Sequence, residues 1–332
     1  MSVSVDLPET APAIPAGQTR VAAIDCGTNS IRLLIADVDG ASGTLSDHLR
    51  LMEVVRLGQG VDKTGRLADE ALARTLDACV RYAQLCEAYG VQKIRFVATS
   101  ATRDAENRGE FVAGVKAALG VEPEVVTGDE EAALSFRGAV SVLGSKYPGP
   151  YLVVDLGGGS TELVLGGSAP LAAYSMDVGC VRMTERHLQS DPPTQEEIAA
   201  AAQDINAAID EASRVVPIER TGTLVGLAGS VTTVTAHALK LREYDRDQIN
   251  GAVLPLKNVQ KACDDLLARN SGERAALGFM HPGRVDVIGA GALVWSTVVA
   301  RVQAAVAQAG GNLKTTVTSE HDILDGIALS LG

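Results

Sequence analysis

YLVVDLGGGSTELVLGG, residues Tyr151 to Gly167, is the stretch whose reading decides the fold. Tyr151 to Val154 is an apolar, β-branched run with the character of a buried strand, and Asp155 closes it where a glycine-rich turn begins. Gly157, Gly158 and Gly159 provide backbone free to take positive φ and to approach a bound group closely. Ser160 and Thr161 add hydroxyls, and Glu162 opens a second apolar run, Leu163 to Leu165. The pattern predicts a β-hairpin with an aspartate on its entry, glycines at its tip and a glutamate on its exit.

Ile24 to Ile35, IDCGTNSIRLLI, aligns without a gap on Val154 to Leu165, VDLGGGSTELVL. Aspartate, glycine and serine coincide, as does the apolar exit strand. One glycine-rich hairpin is commonly just a turn, but two in register point to an internal duplication. The expectation is an α/β protein of two similar lobes, with a hairpin on each facing one another across a central cleft. Turn N–H groups beside carboxylates suit a phosphate chain with Mg²⁺.

Composition narrows the field. The 332 residues are 46% hydrophobic, enough for two lobes with separate cores. With 29 Lys and Arg against 41 Asp and Glu the formal charge is −12, which argues against a general nucleic-acid or membrane-surface binder. Aromatic residues make up 3%, too few for base-stacking platforms. The five cysteines Cys26, Cys79, Cys86, Cys180 and Cys263 show no metal-type spacing and read as reduced, mostly buried thiols of a cytoplasmic protein. The histidines show no ligand spacing either. Residues 1 to 18 read as a disordered leader without signal-peptide character, and no segment reads as a membrane span.

Along the chain, the first lobe spans 19–143 and the second 144–332, with a Gly/Pro-containing linker at 144–150 and a last helix able to pack back on the first lobe. Expected elements are a third strand at Leu51 to Leu57, a helix over Ala68 to Tyr89, a buried strand at Ile94 to Ala98 and a polar loop Thr99 to Arg103. A helix at Asn107 to Leu119 and a strand at Glu124 to Thr127 follow. Arg103, at the strand's C-terminal edge, suits either a solvated loop or a bidentate phosphate contact. Arg32, aligned with Glu162, is either a second phosphate contact or an outward-facing strand residue. Asp129, Glu130 and Glu131 stand in the first turn of a helix with Thr127 or Asp129 as N-cap, and the pattern alone does not choose among the three carboxylates.

In the second lobe a third strand is expected at Ala172 to Val178. Arg182 reads as a surface salt bridge or, second to that, as a contact to a longer phosphate chain. A helix from Thr194 to Val215 carries a Thr194/Glu197 capping box. Thr223 to Leu227 is a buried strand, followed by a helix whose opening Gly229-Ser230 turn serves either phosphate binding or tight packing. A long amphipathic helix runs from Arg284 to about Val306, then a strand at Thr315 to Thr318 and a helix at His321 to Leu331.

The whole resembles the actin/Hsp70/sugar-kinase superfamily, with ribonuclease-H-like lobes. Within it, IDCGTNSIRLLIADV (Ile24 to Val38), ATSATRDAENRGEF (Ala98 to Phe111), TGDEEA (Thr127 to Ala132) and VDLGGGSTELVLG (Val154 to Gly166) are similar to the exopolyphosphatase and guanosine pentaphosphate phosphatase family. The resemblance implies a short form without the C-terminal helical domain of longer members, and a homodimer. It implies hydrolysis of the terminal phosphate of inorganic polyphosphate, or of the 5′ γ-phosphate of guanosine pentaphosphate. A sugar-kinase-like phosphotransferase and a non-catalytic phosphate-polymer sensor are the other readings.

The resemblance places the catalytic base at Glu131 and a phosphate-binding arginine at Arg103. With the duplicated turns, the phosphate-binding set becomes Thr28, Asn29, Ser30, Arg103, Gly157, Gly158, Gly159, Ser160, Thr161, Gly229 and Ser230. Asp155 and Glu162, with Asp25 as the duplicate of Asp155, are the expected ligands of Mg²⁺, for which Mn²⁺ could substitute.

Overall fold

The computed structural model describes residues 11–143 and 146–332; the first ten residues of the expected leader and residues 144–145 of the expected linker lie outside these. The chain divides into two compact units, 1–138 with 323–332, and 139–322.

The first unit is built on a sheet of order β3-β2-β1-β4-β5, from β1 (Gln18–Cys26), β2 (Ser30–Asp39), β3 (Thr44–Val54), β4 (Lys93–Ala98) and β5 (Glu124–Val125). The first three strands run antiparallel, while β4 lies parallel to β1 and β5 parallel to β4. The two-residue period of a strand explains why β1 is apolar throughout. Ala22, Ile24 and Cys26 pack with residues of the helices Asp69–Ala88 and Arg108–Leu119 on one face. Val21 and Ala23 pack on the other with Leu134 of the helix Gly128–Leu143 and with Ile323, Leu324 and Ile327 of the helix Ile323–Leu329.

The second unit repeats the plan in a sheet of order β10-β11-β9-β6-β7-β8. Its strands are β6 (Tyr151–Leu156), β7 (Thr161–Gly166), β8 (Pro170–Met176), β9 (Thr223–Leu227), β10 (Val253–Pro255) and β11 (Thr315–Thr318). The antiparallel trio β6, β7, β8 is followed by parallel β9 and β11, the order of β1 to β5, with β10 added antiparallel at the edge. The duplication inferred from two hairpins therefore extends through five strands of each sheet.

Several expectations need correction. The third strand of the first unit ends at Val54, because the turn after β2 fixes the pairing Asp39 with Thr44. The Thr99 to Arg103 loop is instead a short helix, Ser100–Asp104, closed by the Thr102 and Arg103 amides donating to Thr99 O. The long helix begins at Ile288, after a 3-10 turn Pro282–Arg284, and it is a core helix, with Trp295 1% exposed. By length and composition Ile288–Gln308 could cross a membrane; its burial inside the unit accounts for that apolarity. The helix Leu256–Ala268 and strand β10 were not foreseen. Within the expected leader, Gln18 already belongs to β1, and the Pro12 and Ala13 carbonyls accept hydrogen bonds from buried Arg20. A buried guanidinium has five donors to satisfy, and nearby backbone supplies acceptors. The Thr194/Glu197 capping box is present, opening the helix Gln195–Ala212.

Candidate active site

Both hairpin tips are closed by the same bond: Gly27 N donates to Ser30 O at 3.0 Å, and Gly157 N to Ser160 O at 3.0 Å. Each tip is also anchored through its carbonyls. Thr28 O accepts from Gly58 N, and Asn29 O from Val55 N and Arg56 N; in the second unit Gly157 O accepts from Cys180 N, and Gly158 O from Val181 N and Arg182 N. In a trans peptide the N–H points opposite to the C=O. Anchoring these carbonyls therefore turns the amides of Asn29, Ser30, Gly158 and Gly159 away from the supporting segments, the arrangement an anion-binding turn requires.

The support depends on glycine in each unit. A Cβ on Gly179 would lie 2.4 Å from Gly158 O, and one on Gly58 2.4 Å from Thr28 Cγ2. Two of the hydroxyls expected to reach phosphate brace the tips. Thr28 Oγ1 lies 2.9 Å from Ser100 Oγ, and Thr161 Oγ1 donates to Val178 O at 2.5 Å. Ser160 is 2% exposed.

Sheet register sets the acidic residues. Asp155 on β6 pairs directly with Glu162 on β7, and Glu162 with Ser175 on β8, so the three side chains form one row on one face. Asp155 and Glu162 are buried, at 7% and 1% exposure, and Ser175 Oγ donates to Glu162 Oε1 at 2.7 Å. Directly opposed Cβ atoms lie about 5 Å apart, so the two acidic side chains leave the sheet as neighbours. A buried acidic pair beside a phosphate-type turn fits a divalent cation. Among the described residues no group of three or more His, Cys, Asp or Glu could hold a metal. Two carboxylates completed by water and substrate oxygens suit Mg²⁺, which keeps much of its hydration.

The first unit carries the corresponding row with different chemistry. Asp25 pairs with Arg32 and Arg32 with Met52. Arg32 Nη2 and Nε donate to Asp25 Oδ2 at 2.7 and 2.9 Å, an ion pair in which Asp25 is 5% exposed. The guanidinium already neutralises this carboxylate, which makes Asp25 less suited to a dication than Asp155, and Arg32, expected as a phosphate contact or an outward-facing strand residue, is engaged with Asp25.

The helix Gly128–Leu143 covers the sheet face bearing Asp25, with Thr127 as N-cap: Thr127 Oγ1 accepts from Glu130 N at 3.2 Å. Of the three first-turn carboxylates, Asp129 and Glu130 are exposed and Glu131 is buried. Arg103 Nη1 donates to Glu131 Oε2 at 3.2 Å and to Val126 O at 2.9 Å. Among the described residues Arg103 makes no other hydrogen bond, so Nε and Nη2 remain for phosphate oxygens. The structure thus brings together Arg103 and Glu131, distant in sequence, and of the three first-turn carboxylates it buries Glu131.

Gly229 has a packing reason to be glycine: a Cβ there would fall 1.8 Å from the guanidinium carbon of Arg284. That arginine was not foreseen, because 55 residues separate the two. Ser230, 2% exposed, packs with Cys180 against Gly291. Its side chain serves the core. Arg182 is not a surface residue; its side chain is 11% exposed, 4.0 Å from the exposed Asp177. All five cysteines are free and buried, and burial pushes the Cys26 thiol well up. A groove of about 480 Å³, lined by Ser213, Ile218, Glu219 and Arg301 among others, contains none of the candidate residues.

Two sheets of like topology, each opening on a glycine-tipped, aspartate-bearing hairpin, define the actin-like ATPase class of α/β folds. The chain belongs to the Ppx/GppA phosphatase family, whose model matches residues 34–315. It is 51% identical over 320 residues to exopolyphosphatase 2 of Mycobacterium tuberculosis, covering 94% of this chain and 98% of that protein. A crystal structure of an exopolyphosphatase-like protein superposes with a TM-score of 0.92 at 49% identity, over 95% of this chain and 98% of the other. The Ppx/GppA enzyme of Aquifex aeolicus superposes with 0.76 at 30% identity, over 94% and 99%.

Proposed function

We propose that the protein releases the terminal orthophosphate of inorganic polyphosphate by in-line attack of water, in a reaction that depends on Mg²⁺. The buried, in-register pair Asp155 and Glu162 beside the Gly157 to Ser160 turn carries this reading. Family membership supports it, as does similarity to a protein named exopolyphosphatase 2.

Asp155 and Glu162 would hold Mg²⁺, which when bound neutralises charge on the phosphoryl oxygens. In each unit the hairpin-tip amides, those of Asn29 and Ser30 in the first and of Gly158 and Gly159 in the second, are suited to phosphate oxygens, and in the first unit the remaining side of the Arg103 fork would add a charge-assisted contact. Glu131, fixed by Arg103, orients the attacking water and accepts its proton. Phosphoryl transfer through a loose transition state needs mainly such positioning and charge stabilisation.

The test is phosphate release from polyphosphate and from guanosine pentaphosphate, compared as kcat/KM. A higher value on polyphosphate, lost in Glu131→Gln, is expected; preference for the nucleotide would move the function to the other activity in the family's name, and turnover of neither would refute hydrolysis.

A further inference from the structure

The geometry assigns Ser175 as a positioning residue that sets the orientation of the Glu162 carboxylate for the cation, an inference that rests on the metal role proposed for Glu162. The terminal torsion of a glutamate is broad and roughly two-fold, so burial alone leaves the carboxylate plane poorly defined. Ser175 Oγ donates to Glu162 Oε1 at 2.7 Å from the directly opposed position on β8. The hydroxyl fixes one oxygen and thereby the direction of the other. Outer hydrogen bonds of this kind tune metal ligands in general.

The duplication supplies an internal comparison. In the first unit the row is Asp25, Arg32, Met52, where a guanidinium orients the aspartate and the third place is apolar. In the second it is Asp155, Glu162, Ser175. The hydroxyl stands only in the row that carries two acids. Ser175 is half-buried on a sheet-edge strand, where its own packing asks little of it.

The experiment is a Mn²⁺ titration of the full-length protein followed by electron paramagnetic resonance, with Ser175→Ala, Ser175→Thr, Asp155→Asn and Glu162→Gln, each checked for an unchanged thermal midpoint. Ser175→Ala should weaken Mn²⁺ binding by about 10- to 100-fold, and Ser175→Thr, which keeps the donor, should restore most of it. Wild-type Mn²⁺ affinity in a folded Ser175→Ala protein, with binding lost in Asp155→Asn and Glu162→Gln, would overturn the role of Ser175 and leave the metal site standing. Undiminished binding in the two carboxylate variants would overturn both.

Discussion

Arg32 stands in the first hairpin where Glu162 stands in the second, directly across from its aspartate in each case. Its guanidinium lies 2.7 Å from Asp25 Oδ2, so one copy of the duplicated row is internally neutral and the other acidic. The neutral row is a structural pair. Arg32→Ala should lower stability by about 1–3 kcal/mol, since it removes charged hydrogen bonds from a buried carboxylate, and should leave Mn²⁺ affinity unchanged. Denaturant midpoints and the metal titration check both; a fall in metal affinity would give Asp25 the ligand role that its ion pair argues against.

Glu131 and Arg103 should separate from their neighbours in sequence. Glu131→Gln should lower kcat by about 10² to 10⁴ with little change in substrate affinity. Arg103→Ala should raise KM as well, because it loses a phosphate contact and the group that fixes Glu131. Glu130→Gln, at an exposed position, should stay within a few-fold of wild type. Steady-state kinetics on polyphosphate distinguish the three.

The two glycines behind the hairpin tips predict unequal costs. A Cβ on Gly179 meets the Gly158 carbonyl oxygen and the Gly159 backbone, whereas one on Gly58 meets side-chain atoms of Thr28 and Ala101. Backbone yields less readily than side chain. Gly179→Ala should therefore destabilise more than Gly58→Ala, by the about 1–3 kcal/mol typical of overpacking, and should raise KM by shifting the Gly158 and Gly159 amides. Equal effects on unfolding and on KM would contradict the anchoring role.

What could be read ahead of the structure was local. The hairpins announce themselves through contiguous Asp-x-Gly spacing, and the Thr194/Glu197 box spans four residues. What escaped was set by partners far along the chain. Ser175 gains its meaning from sheet register with Glu162, and Gly229 from Arg284, neither marked by any motif. The misplaced third strand lies at an edge, where most of its residues are half-buried and alternation is faint. The burial of Glu131, against the exposure of Asp129 and Glu130, is likewise something no spacing supplies.

Asp37 gives the molecule an acid-sensitive point away from chemistry. Burial pushes its carboxyl upward, but hydrogen bonds from Arg20 and His48 outweigh that and hold it below the usual carboxylate range. A group lowered on folding stabilises above the pKa of the unfolded carboxyl, and that contribution disappears as pH falls through the lower folded value. The wild type should lose stability through that acidic window. Asp37→Asn should be less stable at neutral pH and show a flatter acid limb in unfolding midpoint against pH.

The central claim is that paired acids at 155 and 162 serve cation-assisted removal of terminal phosphate. It is tested most directly by chain-length-resolved analysis of polyphosphate digested by wild type, Asp155→Asn and Glu162→Gln, with Mg²⁺ and with Mg²⁺ chelated. Orthophosphate and a chain shortened from its end should form only with wild type and Mg²⁺, both variants being slower by at least about 10². Release undiminished in the variants or under chelation would contradict it.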